Sequence, residues 1–333
     1  MSNIVFFEVA DWEKEKLKKN LPEALLVTEK LSLENISRYQ NIEILSCFIY
    51  SQINKEIIDQ LPKLKLITTR STGFDHIEVN YATSKKILVT NVPEYGSRTV
   101  AEHTFALILT LTKKIYQSIN QAKNFDFNHE NIRSIDLYGK TIGIIGLGKI
   151  GFEVLKIAQG FGMKILVFTR NKKQELAQQY HFQYVDLSTL LSQSDIITIH
   201  LPLTPETRYL INKNNINLIK KGAYLINTAR GGLIETETIV YGLENNILAG
   251  VALDVLEEEK ELMEETEILS NIYKTQVDFK KLALNHVLIN HPKVIITPHN
   301  AFNSKEALDR ILNTTILNIK QFLIGQPVNL VLI

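Results

Sequence analysis

Residues 140–170, KTIGIIGLGKIGFEVLKIAQGFGMKILVFTR, decide how this chain is read. Thr141–Ile145 is a short apolar run of the kind that forms a buried parallel strand. Gly146-Leu147-Gly148-Lys149-Ile150-Gly151 follows as a G-x-G-x-x-G. A helical pattern then runs through Ala158 and is ended by Gly160 and Gly162. A second apolar run, Ile165–Phe168, completes a β-α-β unit of the length a dinucleotide site needs. Each glycine has a task in that reading. Gly146 lets the chain turn sharply out of the strand, Gly148 lets backbone approach a pyrophosphate, and Gly151 lets the helix pack close to the sheet. The helix N-terminus offers unpaired N–H groups and positive partial charge to the phosphates. Glycine clusters alone often mark nothing but turns; the strand before this one and the helix and strand after it are what make it a nucleotide site.

The end of the second strand bears on cofactor choice. A site for NAD usually carries Asp or Glu there, hydrogen-bonded to the ribose 2′-OH. This chain has Thr169 and Arg170, with Lys172 and Lys173 close behind. An acid would repel a 2′-phosphate, whereas Thr and Arg would welcome one. The expectation is NADP(H) over NAD(H).

The rest of the composition sets bounds. A chain of 333 residues, 45% hydrophobic and 22% charged, has material for two domains with sizeable cores. A net charge of +1 with no strongly basic half points away from nucleic acid and acidic membranes. The lone cysteine, Cys47, lies in the apolar run Ile44–Tyr50 and reads as a small buried residue in a reducing compartment. The N-terminus lacks a basic leader, and Glu8 interrupts its apolar run, so neither a secretory signal nor a membrane span is expected and cytoplasm is the default location. Without a C-x-x-C or H-E-x-x-H, no metal site is expected.

Residues 1–97 alternate apolar runs with amphipathic stretches: strands at Ile4–Val9, Glu43–Tyr50, Leu64–Thr69 and Ile87–Thr90, helices at Glu13–Asn20 and Ile53–Leu61. Such alternation predicts a parallel sheet covered by helices. Between the last two strands, Thr72 and Gly73 lie in a turn (RSTGFDH) whose backbone N–H groups could cradle a small anion at the carboxyl end of a strand. Ser97 is expected to cap a long helix, Arg98–Ile119, whose apolar residues nearly surround its axis; a domain crossing is placed there. Residues 120–138 are polar and mixed and carry little signal. After the β-α-β unit come a short helix from Leu187, a strand at Asp195–Leu201, a helix at Ile211–Leu218, a strand at Ala223–Ile226, a helix at Glu235–Asn245 and a strand at Ile247–Asp254. Residues 257–267 hold seven glutamates in eleven positions, most of them read as a solvated face. A mostly helical stretch, 268–290, leads to a last strand at Val294–Thr297, and Ser304 caps a final helix to about Phe322.

Three strand ends in the second half carry a basic or titratable residue: His200, Arg230 and His299. In a parallel sheet these ends face the same edge as the glycine loop, where they could converge on a bound nicotinamide. Pattern alone does not choose between the two histidines.

The motifs RSTGFDHIEV (70–79), TNVPEYGSRTVAEH (90–103), GLGKIG (146–151), HLPLTPET (200–207), NTARGGLIE (227–235), AGVALDV (249–255) and TPHNAF (297–302) carry a resemblance over nearly the full length. The chain resembles the D-isomer-specific 2-hydroxyacid dehydrogenases, most of all their D-lactate dehydrogenase branch. The resemblance implies an α/β protein of two Rossmann-like, doubly wound parallel-sheet domains, one flavodoxin-like and one dinucleotide-binding, with a cleft between them. The substrate domain would be 1–97 plus 302–333, and the dinucleotide-binding domain 98–301. It implies an NAD(P)-dependent enzyme that interconverts a small 2-oxo acid and its D-2-hydroxy acid, and a homodimer. The family's Arg-Glu-His trio carries over to Arg230, Glu259 and His299, which decides against His200 as the acid. Pro202, Thr207, Thr228, Ala229 and Asp254 would add cofactor contacts, and Tyr95 and Phe302 would shape the substrate pocket. In the implied mechanism Arg230 clamps the substrate carboxylate, helped by the N–H groups of Thr72 and Gly73. His299 donates the proton and Glu259 favours its imidazolium form. The rival from another class is a nucleotide-sensing, non-enzymatic protein of the corepressor type, which exists on the same scaffold and resembles it even at the trio. Loss of reduced-cofactor absorbance with a 2-oxo acid discriminates the two.

Overall fold

The computed structural model describes residues 3–257 and 279–331. The chain divides into two compact units, Met1–Tyr95 with Asn303–Ile333, and Gly96–Phe302.

In the first unit five strands, β1 (Ile4–Phe6), β2 (Leu25–Leu26), β3 (Ile44–Cys47), β4 (Leu66–Thr69) and β5 (Leu88–Thr90), form one parallel sheet in the order β2-β1-β3-β4-β5. This is the flavodoxin-like order. The strands are apolar on both faces because both are covered. Val5, Leu45, Ile67 and Val89 pack on one side with Ile53, Ile57 and Ala82 from the connections. Ile4, Phe6, Ile44 and Leu66 pack on the other with Leu17 of helix α1 (Asp11–Asn20) and Leu312, Ile316 and Ile319 of the C-terminal helix Lys305–Leu323. Two shorter helices, α2 (Lys55–Asp59) and α3 (Val79–Ser84), complete the connections. Ser304 caps the C-terminal helix as expected, its Oγ accepting from the Ala307 N–H at 3.1 Å.

The second unit begins with a departure from expectation. In place of one long helix there are two, α4 (Ser97–Thr112) and α5 (Ile115–Lys123), separated by Lys114 with φ +51°. Gly96 stands at the N-cap with no side-chain cap, and Ser97 is already helical. The break has no Gly or Pro signal. It is made by tertiary partners of the helix end: the Ile135 N–H donates to the Thr112 carbonyl at 3.1 Å and Lys113 pairs with Asp136 at 2.7 Å.

Seven strands follow: β6 (Thr141–Ile145), β7 (Lys164–Phe168), β8 (Gln183–Tyr184), β9 (Ile196–Ile199), β10 (Ala223–Asn227), β11 (Leu248–Leu253) and β12 (Val294–Ile296). All pair in parallel, in the order β12-β11-β10-β9-β6-β7-β8. The connecting helices are α6 (Lys149–Gly160), α7 (Gln174–Gln179), α8 (Leu187–Gln193), α9 (Thr236–Glu244) and α10 (Phe279–Ile289). Strand order reverses between β6 and β9, which makes their carboxyl ends the switch point of a doubly wound sheet. Phe105 and Ile108 of α4 and Val154, Leu155 and Ala158 of α6 cover one face, while Leu190, Leu191, Ile239 and Leu243 cover the other.

The expected helix at 211–218 is mostly absent. Ile211 bridges Ile234, and helical geometry is confined to a 3-10 turn at Ile216–Leu218. Asn side chains compete for the backbone there: Asn215 Oδ1 accepts from the Asn212 N–H at 3.0 Å, and Asn212 Oδ1 from the Asn214 N–H at 2.9 Å. Among the described residues no helix is long and apolar enough to cross a membrane.

Candidate active site

The glycine loop leaves β6 as its spacing requires. Gly146 has φ +97°, a left-handed conformation that side chains rarely adopt, and a Cβ there would lie 2.6 Å from the His200 carbonyl oxygen. A Cβ on Gly151 would stand 2.1 Å from the Gly146 carbonyl oxygen, so α6 can seat only a glycine at that point. Around Gly148, by contrast, nothing lies within 4 Å of an added Cβ, leaving open space at the N-cap of α6. Among the described residues no group accepts from the N–H of Leu147 or Gly148. Lys149 is exposed and Ile150 packs partly on the core. A cradle with free N–H donors and a helix N-terminus fits a pyrophosphate group. At the end of β7, Thr169 is half-buried and Arg170 exposed.

The strand beside β6 ends at His200. Thr198 Oγ1 lies 2.9 Å from His200 Nε2, while Nδ1 is enclosed without a partner. Burial pushes the imidazolium down to about 3, so this ring is neutral near neutral pH and is unsuited to donating a proton. In the loop that follows, Thr207 Oγ1 donates to the Pro202 carbonyl at 2.7 Å and accepts from the Thr204 N–H at 2.8 Å, closing 202–207 on itself.

Arg230 and His299 are placed by sheet register. Asn227, Leu253 and Ile296 lie side by side across β10, β11 and β12. Arg230 comes three residues after Asn227, and His299 three after Ile296. The two residues therefore leave the same edge of the sheet from strands about 10 Å apart, two strand spacings. Both are half-buried. Arg230 Nη1 donates to the Ala229 carbonyl at 2.7 Å.

Three residues that motif reading left without a role hold these loops. Asn227, 1% exposed, donates to the Arg230 carbonyl at 2.8 Å and accepts from the Ala229 N–H at 3.0 Å, bracing the arginine's turn. Thr104 of α4 meets the Thr228 hydroxyl at 3.0 Å. His103, one residue earlier, has Nε2 3.1 Å from Thr297 Oγ1 and 3.4 Å from Asp254 Oδ1. A polar residue at a strand end, or facing inward from an apolar helix, was the available signal for each.

Asp254 is 1% exposed, and its carboxylate belongs to the loop that carries His299. It accepts from the Thr297 hydroxyl, from the Asn300 N–H at 2.8 Å and from the Ala301 N–H at 2.9 Å. The Asp254 carbonyl takes the His299 N–H at 2.8 Å, and His299 itself has φ +49°. Burial pushes the Asp254 carboxyl up, but hydrogen bonds from His103, Thr297, Ala301 and Asn300 outweigh it and hold the group below its ordinary value. Phe302 is half-buried. Glu259 lies outside the described residues. Among those described, no cluster of three or more His, Cys, Asp or Glu is placed to hold a metal.

In the first unit, Thr72 and Gly73 follow β4 in a turn tied at both sides. Thr72 Oγ1 donates to the Val92 carbonyl at 2.7 Å, Asn91 Nδ2 donates to the Thr72 carbonyl at 2.8 Å, and Ser71 Oγ donates to the Gly73 carbonyl at 2.6 Å. Among the described residues no group accepts from the Thr72 or Gly73 N–H. That leaves two donors for an anion. Tyr95 is half-buried, its carbonyl accepting from Arg310 Nε at 2.7 Å. Cys47 is fully buried, and burial pushes its thiol up, far from a reactive thiolate.

The family model described as D-isomer specific 2-hydroxyacid dehydrogenase, NAD binding domain, matches residues 105–301. The chain is 35% identical to 2-hydroxyacid dehydrogenase A of Aspergillus oryzae over 88% of its length and 82% of that protein. It is 33% identical to the D-lactate dehydrogenase of Escherichia coli K12, over 90% of this chain and 88% of that one. The solved D-lactate dehydrogenase of Aquifex aeolicus, complexed with NAD and lactic acid, superposes with a TM-score of 0.87 at 34% identity, covering 97% of this chain and 96% of the other.

Proposed function

Because the chain belongs to the D-isomer-specific 2-hydroxyacid dehydrogenase family and is an oxidoreductase of CH–OH donors, we propose that it interconverts a small, apolar, unphosphorylated 2-oxo acid and its D-2-hydroxy acid, with NADP(H) preferred over NAD(H). The observation that carries this reading is the register that sends Arg230 and His299 off one sheet edge, which the glycine loop shares. A bound reduced nicotinamide would supply the hydride. Arg230 clamps the carboxylate with two parallel donors and polarises the adjacent carbonyl. His299 gives its proton to the carbonyl oxygen, and in the reverse direction the neutral ring takes it back. Glu259 is assigned to hold the imidazolium form. Thr72, Gly73, Tyr95 and Phe302 are assigned to the substrate. Gly146–Gly151, Pro202, Thr207, Thr228 and Ala229 are assigned to the cofactor, with Asp254 fixing the loop beside it.

The cofactor preference rests on Thr169 and Arg170 at the place where an acid would exclude a 2′-phosphate. The solved Aquifex aeolicus relative carries NAD, so the two cofactors are compared directly. A homodimer and a cytoplasmic setting, suited to a buried thiol, complete the proposal.

The test is a panel of pyruvate, 2-ketobutyrate, phenylpyruvate, glyoxylate and hydroxypyruvate with NADPH and NADH. Turnover of an unphosphorylated oxo acid with a lower KM for NADPH is expected. A lower KM for NADH overturns the preference, and no turnover of any oxo acid overturns the function. In the active pair His299→Ala lowers kcat by about 10²-fold or more. Arg230→Lys chiefly raises the KM of the oxo acid, by roughly tenfold or more, because a point charge cannot replace the guanidinium fork.

A further inference from the structure

Tyr209 is a bulky residue with φ +51°, a left-handed backbone that its side chain disfavours. Glu257 is a carboxylate whose side chain is only 5% exposed. Each is a cost to folding, and the two meet in one bond: Tyr209 Oη donates to Glu257 Oε1 at 2.7 Å. The other Glu257 oxygen takes the Thr236 N–H at 3.0 Å and the Thr236 hydroxyl at 2.6 Å, at the start of α9. Lys281 of α10 lies 3.5 Å from Glu257 Oε1 and donates to Tyr209 Oη at 3.2 Å. Arg208 donates to the same phenol oxygen at 3.1 Å and lies 4.7 Å from the ring centroid.

These contacts join three loops that leave neighbouring strands. Tyr209 follows Thr207 in the loop after β9, and its N–H donates to the Gly232 carbonyl at 2.8 Å. Gly232 belongs to the turn after β10 that carries Arg230. Gly231, between them, lies so close to the segment after β11 that a Cβ would stand 2.2 Å from the Leu256 carbonyl and 2.4 Å from the Glu257 nitrogen. Asn285 Nδ2 holds the Glu257 carbonyl from below at 2.7 Å. Apolar residues of similar volume generally serve stability as well as a buried ion pair or better. What this pair adds is a fixed spacing between loops.

We propose that Tyr209 and Glu257 are positioning residues, a clasp that sets the cofactor-side loop 202–208 against the turn bearing Arg230. The proposal rests on the assignment of Thr207 to the cofactor and Arg230 to the substrate. A nicotinamide cofactor and an oxo acid are then gripped by loops that cannot move independently.

Tyr209→Phe keeps the ring and removes the shared hydrogen bond; Glu257→Gln keeps the shape and removes the charge. Each single variant is expected to raise both the cofactor Kd, read by nicotinamide fluorescence, and the oxo-acid KM by roughly tenfold, with kcat changing less. The double variant should be no worse than Glu257→Gln alone, because the hydrogen bond that Tyr209→Phe removes is one of those Glu257→Gln already disturbs. Amide exchange without ligands should quicken together in 203–211 and 230–234 of Tyr209→Phe. Unchanged Kd, KM and exchange in Tyr209→Phe, or effects that multiply in the double variant, overturn the clasp. Should Glu257→Gln not fold, Tyr209→Phe decides, since Glu257 keeps Thr236 and Lys281 there. A wild-type chain that turns over no oxo acid defeats the functional reading instead, and exchange in the variant still judges the clasp.

Discussion

At the scale of single residues, the two histidines at strand ends differ in what surrounds the ring. His200 is walled in beside Gly146, and its proton is driven off by burial, down to about 3. His299 sits half-buried on a loop held by Asp254. The difference has a consequence for acid stability. An unfolded histidine titrates at about 6.5, so between that pH and about 3 the unfolded chain binds a proton that the folded His200 refuses. Stability therefore falls as pH drops below about 6.5, and above that the group has no effect. His200→Gln can still donate to Thr198 but carries no such proton. Urea unfolding at pH 7 and pH 5 should show the wild type losing about 2 kcal/mol more than the variant; equal losses would show that the ring is not held neutral. Sequence pattern could not separate the two rings, because an apolar strand ending in histidine looks the same whether the next loop covers the ring or presents it. The resemblance to a family chose His299. Asp254, expected against the cofactor, has its carboxylate engaged by four donors within the protein, and residue spacing carries no information about such partners.

At the scale of elements, what was legible followed from local physics. The β6–α6–β7 unit stands within a residue or two of its expected bounds, since its glycines are demanded by backbone geometry alone. The α4–α5 break and the missing helix at 211–218 were not legible. One depends on a carbonyl taken by Ile135, the other on asparagine side chains that outbid the backbone. Gly151 tests how tightly the first kind of constraint binds. A methyl group there must move α6 away from the Gly146 carbonyl, since the obstructing atom is backbone. Gly151→Ala is expected to cost about 1–3 kcal/mol, as overpacking does, despite alanine's better helix propensity. It should also weaken cofactor binding by roughly tenfold or more, because the N–H groups assigned to the phosphates ride on the same turn. Thermal melting and nicotinamide fluorescence titration measure the two effects. A variant as stable and as tight as wild type would mean the helix has room that the backbone distances deny.

At the scale of the whole molecule, the two parallel sheets were readable because strands covered on both faces must be apolar throughout, and the linkers between them helical. The apolar surface of the second unit was not readable in the same way. Residues 120–138 looked polar and mixed, yet Phe125 is 89% exposed, Phe127 78% and Tyr138 82%. Just before them α5 turns Ile115, Tyr116 and Ile119 outward, at 40%, 61% and 50%. None of the α5 residues is buried, although the helix is amphipathic. Single exposed apolar side chains are ordinary; six within 24 residues of one unit are more than that, and three of them, Ile115, Tyr116 and Ile119, share one side of a short helix that buries none of its residues. A second copy of this chain is the occupant we assign, since a self-complementary contact about a twofold axis buries the same face twice. Sedimentation velocity at micromolar concentration should find a dimer. Ile119→Asp would place a carboxylate on the exposed apolar side of α5, where a dimer contact would bury it without a partner, and should weaken the dimer by about 100-fold or more. Ser118→Asp, on the neighbouring half-buried position whose hydroxyl turns back to the Lys114 carbonyl at 2.9 Å, separates the loss of an apolar contact from the mere addition of charge and should weaken the dimer less. A wild-type monomer at all concentrations, or an Ile119→Asp variant that dimerises as tightly as the parent, would leave the apolar face to some other partner.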